Sequence, residues 1–292
     1  MFVEDIAAIF LATLVSGAIY ALMVIGLTMI FETIRYFNFA HGALFTFGAY
    51  FIWHLLNINK INYLVGLLLL IPVSFGVGFV TQRYVIQSLV DKKATHLVLI
   101  LATFCVGSIM ESIILLIYGG RLKRLPYLFE GHITIAQATM SYHKLMILVL
   151  STLLLFVMLL ILYKTKIGLA MRAIAQDNEA AYLVGIDVRT IYAITLGLSS
   201  ILACLGGWLM ACFVFLTPAF GGGILNKGFI VCTLGGRKAG MKGSVITSYL
   251  IAFIESALQR YMPMYNVPPI LFAIVIIGLL IKPEGLFVRE SR

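Results

Sequence analysis

Charge is scarce in this 292-residue chain. Asp, Glu, Lys and Arg make up 11% of it, against roughly 25% in an ordinary soluble domain. No hydrophilic stretch is long enough to build a soluble domain. The chain has no G-x-x-x-x-G-K-[ST] loop, so it lacks the phosphate cradle needed to hydrolyse ATP by itself. It also has no H-E-x-x-H, no nucleophile elbow and no paired acids at one depth, which leaves an enzyme without a catalytic constellation. Cysteines number 4 (Cys105, Cys204, Cys212, Cys232). None stands at metal or redox spacing, and all lie in or beside apolar segments, where they read as small buried hydrophobes. No metal and no cofactor is expected.

Apolar residues are what remains. They form 62% of the chain, more than a soluble core of this length can hide. They come in long blocks rather than one-sided stripes, the pattern of helices surrounded by lipid or by each other. The net charge of +9 is spread over short loops, as for loops facing an anionic leaflet. No aromatic-interleaved basic patch is present, so a nucleic-acid partner is not expected. The opening MFVEDIAAIF lacks a basic stretch and a small-residue cleavage site, and reads as a retained span.

A spanning helix needs about 20 mostly apolar residues. That rule places spans at 6–31, 37–56, 63–82, 97–118, 145–163, 192–216, 245–262 and 268–281. The segment 221–236 is short, glycine-rich and carries Asn226 and Lys227. It reads as a broken or re-entrant span, interrupted at Gly221–Gly223. The expected fold is an all-α polytopic bundle of about eight spans plus this segment, forming one domain over 1–292. With the N-terminus outside and 221–236 crossing, 14 lysines and arginines lie inside and 7 outside. The outer group includes Lys227, Arg260 and the cluster Arg121, Lys123, Arg124. The excess of inner positive charge favours this topology, with a cytoplasmic C-terminus.

The inner connection 164–191 is longer than a passive link requires. Asp177 is a good helix N-cap, Glu179 sits in the following first turn where the dipole favours an anion, and Gly185 suits the position just past the helix end. These residues predict a two-turn helix over 178–184, preceded by a helical piece over 169–175. Ala180, Ala181 and Val184 would form a small apolar face that another protein could approach closely.

Glu179-Ala180-Ala181, followed by three residues and Gly185, resembles the loop by which ABC importer permeases dock on a separate ATPase. Tyr20-Ala21-Leu22, Gly26 to Phe31, Asn38-Phe39-Ala40-His41-Gly42 and Gly48-Ala49-Tyr50 are similar to the opening signature of the branched-chain (hydrophobic) amino acid ABC permeases, H-type subunit. The stretch from Gly168 through Arg172, the motif Leu234-Gly235-Gly236 and the ending Lys282-Pro283-Glu284-Gly285-Leu286-Phe287 resemble the same family in the same order. The chain departs from it at Ala43, at Glu111 and in the basic run Gly236-Arg237-Lys238. The resemblance implies a multi-pass inner-membrane subunit of a bacterial importer. Its partners would be a homologous second permease, two ATP-binding subunits and a periplasmic substrate-binding protein. Arg172, Asp177, Glu179, Ala180, Ala181 and Gly185 would form the coupling loop. Substrates would be leucine, isoleucine, valine or a related hydrophobic amino acid, with urea, short amides or aromatic acids as alternatives.

Polar groups inside spans are costly and tend to face protein or a water-filled path. Asn38 and His41 open the second span, with Gly42 beside them for close helix approach. A structural role and a lining of the translocation path are both open for them. His41 has no His or Cys at ligand spacing. Glu111 and Glu255 are intramembrane acids. Either would serve an ion-coupled carrier or channel, the alternative function; in an ATPase-driven permease satisfaction by Ser256 or neighbouring helices is the favoured role, with Glu255 also a candidate for the path.

Overall fold

The computed structural model describes residues 2–126, 129, 131–135, 138–235 and 240–282. The basic run Arg237-Lys238, the closing motif from Pro283 onward and the terminal Arg289 and Arg292 lie outside the described residues. So does the C-terminus.

Most of the described residues belong to helices. In chain order these are α1 (Phe2–Ile34), α2 (Ala40–Asn57), α3 (Tyr63–Val80), which continues through a π turn (Thr81–Ile86) into α4 (Gln87–Asp91), and α5 (His96–Tyr118). After them come α6 (Tyr142–Lys164), α7 (Lys166–Gln176), α8 (Asn178–Leu183), α9 (Val188–Ala211), α10 (Phe220–Gly235), α11 (Gly240–Tyr261) and α12 (Val267–Ile281). Each of the eight expected spans has a helix. Among the described residues, six stretches are long and apolar enough to cross a membrane: Glu4–Ile34, Tyr63–Asp91, His96–Tyr118, Tyr142–Lys164, Val188–Ala211 and Met264–Ile281.

Three differences from expectation have clear physical reasons. The third span runs on to Asp91, because the π turn absorbs an extra residue without breaking the helix and buries Gln82 and Ile86. The sixth stops at Ala211 rather than 216; Leu216 instead exchanges two backbone hydrogen bonds with Lys123, at 3.2 and 2.8 Å. The segment expected to be broken is one continuous 16-residue helix, α10. Gly221–Gly223 form its first turn, and the interruption lies before Phe220. At a rise of about 1.5 Å per residue its length is about 24 Å, less than the roughly 30 Å of a hydrocarbon core.

A short antiparallel hairpin was not expected. Strands β1 (His132–Ile135) and β2 (Ala138–Ser141) pair with Ile133 opposite Met140 and Thr134 opposite Thr139. Their β-branched residues suit a pleated ribbon, but four-residue alternations are too short to register against the surrounding loop.

The chain forms two compact units. One comprises 1–28, 127–155 and 227–292, the other 29–126 and 156–226. In the second, α9 is the central helix. A Cβ at Gly48 of α2 would fall on the Cys204 backbone of α9, and one at Gly207 of α9 would fall on the Phe45 carbonyl of α2. The two helices thus meet main chain to main chain, and the Cys204 thiol donates to the Leu44 carbonyl at 3.1 Å. Helix α2 is buried almost all round, including His41 and Thr46. In the first unit, the Tyr249 ring of α11 covers Gly17 of α1. The hydroxyls of Thr28 and Ser244 lie 3.0 Å apart, and Arg260 is paired with Asp5. Cys204, Cys212 and Cys232 are buried as expected; Cys105 instead lies on the exposed side of α5.

Candidate functional site

The 165–187 connection is built from local signals. The Thr165 hydroxyl accepts from the Gly168 N–H at 3.1 Å and starts α7. An Asp177 carboxylate oxygen accepts from the N–H groups of Glu179 and Ala180 at 2.9 and 3.0 Å, satisfying two of the donors orphaned at the start of α8. At the other end Gly185 has φ +88°. Its N–H donates to the Tyr182 carbonyl at 3.0 Å and that of Ile186 to the Ala181 carbonyl at 3.1 Å. This is the double bond of a left-handed glycine cap.

The expected apolar face needs correcting. Ala181 is buried within the chain's own core, packed with Ile174, Tyr36 and Tyr192. Ala180 and Val184 are exposed as expected, and Tyr182 and Leu183 join them; Tyr182, Leu183 and Val184 are 71%, 82% and 77% exposed. Ala180 and Val184, four residues apart, share one face of the helix, whereas Ala181 lies about 100° round from Ala180. Beside this face lies a cleft of about 730 Å³, lined by residues that include Asp91, Glu179, Tyr182, Leu183, Asp187 and Arg189. Arg189 pairs with Asp91 at 3.2 Å. The Thr190 hydroxyl and N–H donate to Asp187 at 2.6 and 3.2 Å and hold its carboxyl below the usual carboxylate range. Asp187 therefore stays ionised at neutral pH, and its cap on α9 is lost only as pH falls through that lowered value. Arg172 lies on α7 with its guanidinium 5.3 Å from the Tyr163 ring centroid.

Asn38, His41 and Gly42 come together at the start of α2 in the same unit as this loop. Asn38 is buried, and its side-chain oxygen accepts from the Ala40 N–H at 3.0 Å. His41 is fully buried with Nδ1 3.3 Å from the Ser199 hydroxyl of α9. A Cβ at Gly42 would come 3.1 Å from the Gly221 carbonyl oxygen. The Thr46 hydroxyl, one turn on, accepts from the Gly221 N–H at 2.8 Å and so satisfies an orphan donor in the first turn of α10.

Glu255 belongs to the other unit. Its carboxylate accepts from Lys227 of α10 at 2.5 Å, from the Tyr20 hydroxyl of α1 at 2.7 Å and from Gln259 at 3.0 Å. Lys227 also donates to the Tyr20 oxygen at 3.0 Å. Lys227 is therefore half of a largely buried ion pair rather than a solvated loop charge. A lone lysine inside a short apolar block, with an unmatched acid in another, was the available signal. Glu111 sits at partial exposure on α5 and has no side-chain partner among the described residues.

Residues 9–282 match the family model "Branched-chain amino acid transport system / permease component". The chain belongs to this family of permeases. It is 24% identical over 289 residues to the high-affinity branched-chain amino acid transport system permease protein BraD of Pseudomonas aeruginosa, covering 94% of this chain and 93% of the relative. It is equally similar, with the same coverage, to LivH of Escherichia coli, a permease protein of the same description. A probable branched-chain amino acid transport permease protein LivH of Methanocaldococcus jannaschii is 30% identical over 246 residues, 82% of this chain and 77% of that protein. No solved structure matches the chain. As a permease component, the chain is a transport subunit, not itself an enzyme. The family and the apolar helices make it a multi-pass membrane protein.

Proposed function

We propose that the chain is the membrane-spanning subunit of an ABC importer that carries branched-chain or related hydrophobic amino acids inward, driven by a separate ATPase docked on α8. The observation that carries this reading is α8 itself. It is a helix capped at both ends, held to the core through Ala181, with bulky apolar side chains turned outward beside a cleft. An exposed Tyr-Leu-Val run is costly to leave in water unless a partner covers it. The names of the relatives supply the substrate class. The partners in this reading are a homologous second permease, two ATP-binding subunits and a periplasmic binding protein, with the C-terminus on the cytoplasmic side.

The start of α2 is the candidate path lining, because Asn38 and His41 place polar groups in a buried helix next to close-packed backbone. Glu255 is better suited to holding α1, α10 and α11 together. Its charge is already balanced by Lys227, which weakens the alternative of an ion-coupled carrier built on it.

Leu183 is 82% exposed, so Leu183→Asp leaves the fold intact and places a charge in the proposed interface. Retention of the ATPase subunit in a pull-down is expected to fall by about tenfold or more, as for a central apolar contact, with an unchanged melting temperature. Gly185→Val, which forces a β-branched residue into the left-handed region, is expected to lower retention similarly by unwinding the cap, with a lowered melting temperature that sets it apart from Leu183→Asp. Undiminished retention with both variants would remove α8 as the docking element.

A further inference from the structure

We infer that Arg35 is a positioning residue that ties the α7–α8 element to the base of α2, and so passes movement of the docked loop to the candidate path. The inference rests on the docking reading above.

Three observations meet at the turn between α1 and α2. First, Arg35 has φ +67°, a conformation costly for any residue with a β-carbon and natural for glycine. An arginine there needs a reason. Its guanidinium donates to the Ala175 carbonyl at 2.5 Å. Ala175 is the penultimate residue of α7, where the last carbonyls lack helical partners and a cation is favoured by the dipole. Two residues on, Asp177 begins α8. Arg35 thus grips the elbow between the two loop helices.

Second, the next residue, Tyr36, is 1% exposed and packs in one cluster with Ile174 of α7, Ala181 of α8 and Tyr192 of α9. Its hydroxyl donates to Gln82 at 3.0 Å, inside the π turn that follows α3. Such turns mark places where a helix departs from regular geometry and are frequent at functional sites.

Third, the turn ends on the path candidates. The Asn38 side-chain oxygen accepts from the N–H of Ala40, the first residue of α2. The Phe39 N–H donates to the Thr103 hydroxyl of α5 at 3.1 Å, and His41 follows within the first turn of α2. A few residues therefore connect the docking loop at one end with Asn38 and His41 at the other, all inside one compact unit. A packed chain of this kind shifts as a piece when its end is moved, because tight interiors do not deform continuously.

The test uses the full complex of both permeases, ATPase and binding protein in proteoliposomes. The readout is stimulation of ATP hydrolysis by binding protein loaded with whichever of leucine, isoleucine or valine stimulates the wild type most. With Arg35→Ala, ATPase retention and basal hydrolysis are expected to stay at wild-type levels. Stimulation and uptake are expected to fall at least about fivefold, the lower range of inter-site coupling. Arg35→Lys, which keeps one donor, is expected to recover part of the loss. Arg35→Gly separates the guanidinium from the backbone: it relieves the turn but lacks the side chain, and is expected to behave as Arg35→Ala. Wild-type stimulation in Arg35→Gly or Arg35→Ala would overturn the inference. So would a loss of ATPase retention in these variants, which would make Arg35 part of the docking surface rather than a link behind it. Absence of retention by the wild-type chain would instead remove the docking reading.

Discussion

Replacing Gly48 with leucine is expected to abolish accumulation of folded permease in the membrane. The loss of stability should exceed the roughly 1–3 kcal/mol of ordinary overpacking, because the obstacle is backbone rather than a side chain that can change rotamer. A Cβ at Gly48 would meet the carbonyl and Cα of Cys204, and the reciprocal contact, Gly207 on Phe45, leaves α9 no direction in which to yield. Gly76→Leu on α3 is the matched control. A Cβ there meets nothing within 4 Å, and the variant should accumulate and melt as the wild type. Fluorescence-detected size exclusion of tagged protein in mild detergent compares the two. Equal monodisperse peaks would show that α2 and α9 do not pack as described.

The second large effect lies in the ion pair of the other unit. Glu255→Ala removes the acceptor for Lys227, Tyr20 and Gln259 at once. It leaves an ammonium, 22% exposed in the pair, without its counter-charge. Breaking a buried pair from one side costs about 3–5 kcal/mol, whereas replacing both partners by packed apolar groups is often neutral. Glu255→Ala should therefore melt well below the wild type, and the double variant Lys227→Met with Glu255→Leu should regain most of the difference. If the double variant melts no higher than the single one, the two charges do not act as a pair. Uptake by a double variant of normal stability then reports on the path. Retained uptake assigns the pair to holding helices, and lost uptake makes Glu255 part of the route.

Hydropathy alone made legible the helices that meet lipid, such as α5, α6 and α12. Those that carry polar groups inside protein read less clearly. His41 and Thr46 of α2, Lys227 of α10, and Glu255 with Ser244 and Ser248 of α11 lower the very signal that marks a span. Helix α10 read as broken because three glycines in a row look like a breaker, whereas here they form the first turn of a helix. The caps at Asp177 and Gly185 were legible because a cap is a local event, decided by residues within one turn. The inward direction of Ala181 was not. It is set by Ile174, Tyr36 and Tyr192, which come from three separate elements that sequence spacing does not bring together. Arg35 escaped notice for the same reason. A basic residue past a span reads as a membrane-surface charge, and only the fold shows which carbonyl it reaches.

Uptake of radiolabelled leucine by reconstituted proteoliposomes separates a subunit driven by a partner ATPase from a carrier working alone. Accumulation is expected only when the second permease, the ATPase, the loaded binding protein and ATP are all present, and none from this chain alone under a proton or sodium gradient. Gradient-driven accumulation by the chain alone, unaffected by Leu183→Asp, would contradict the ATPase-driven role.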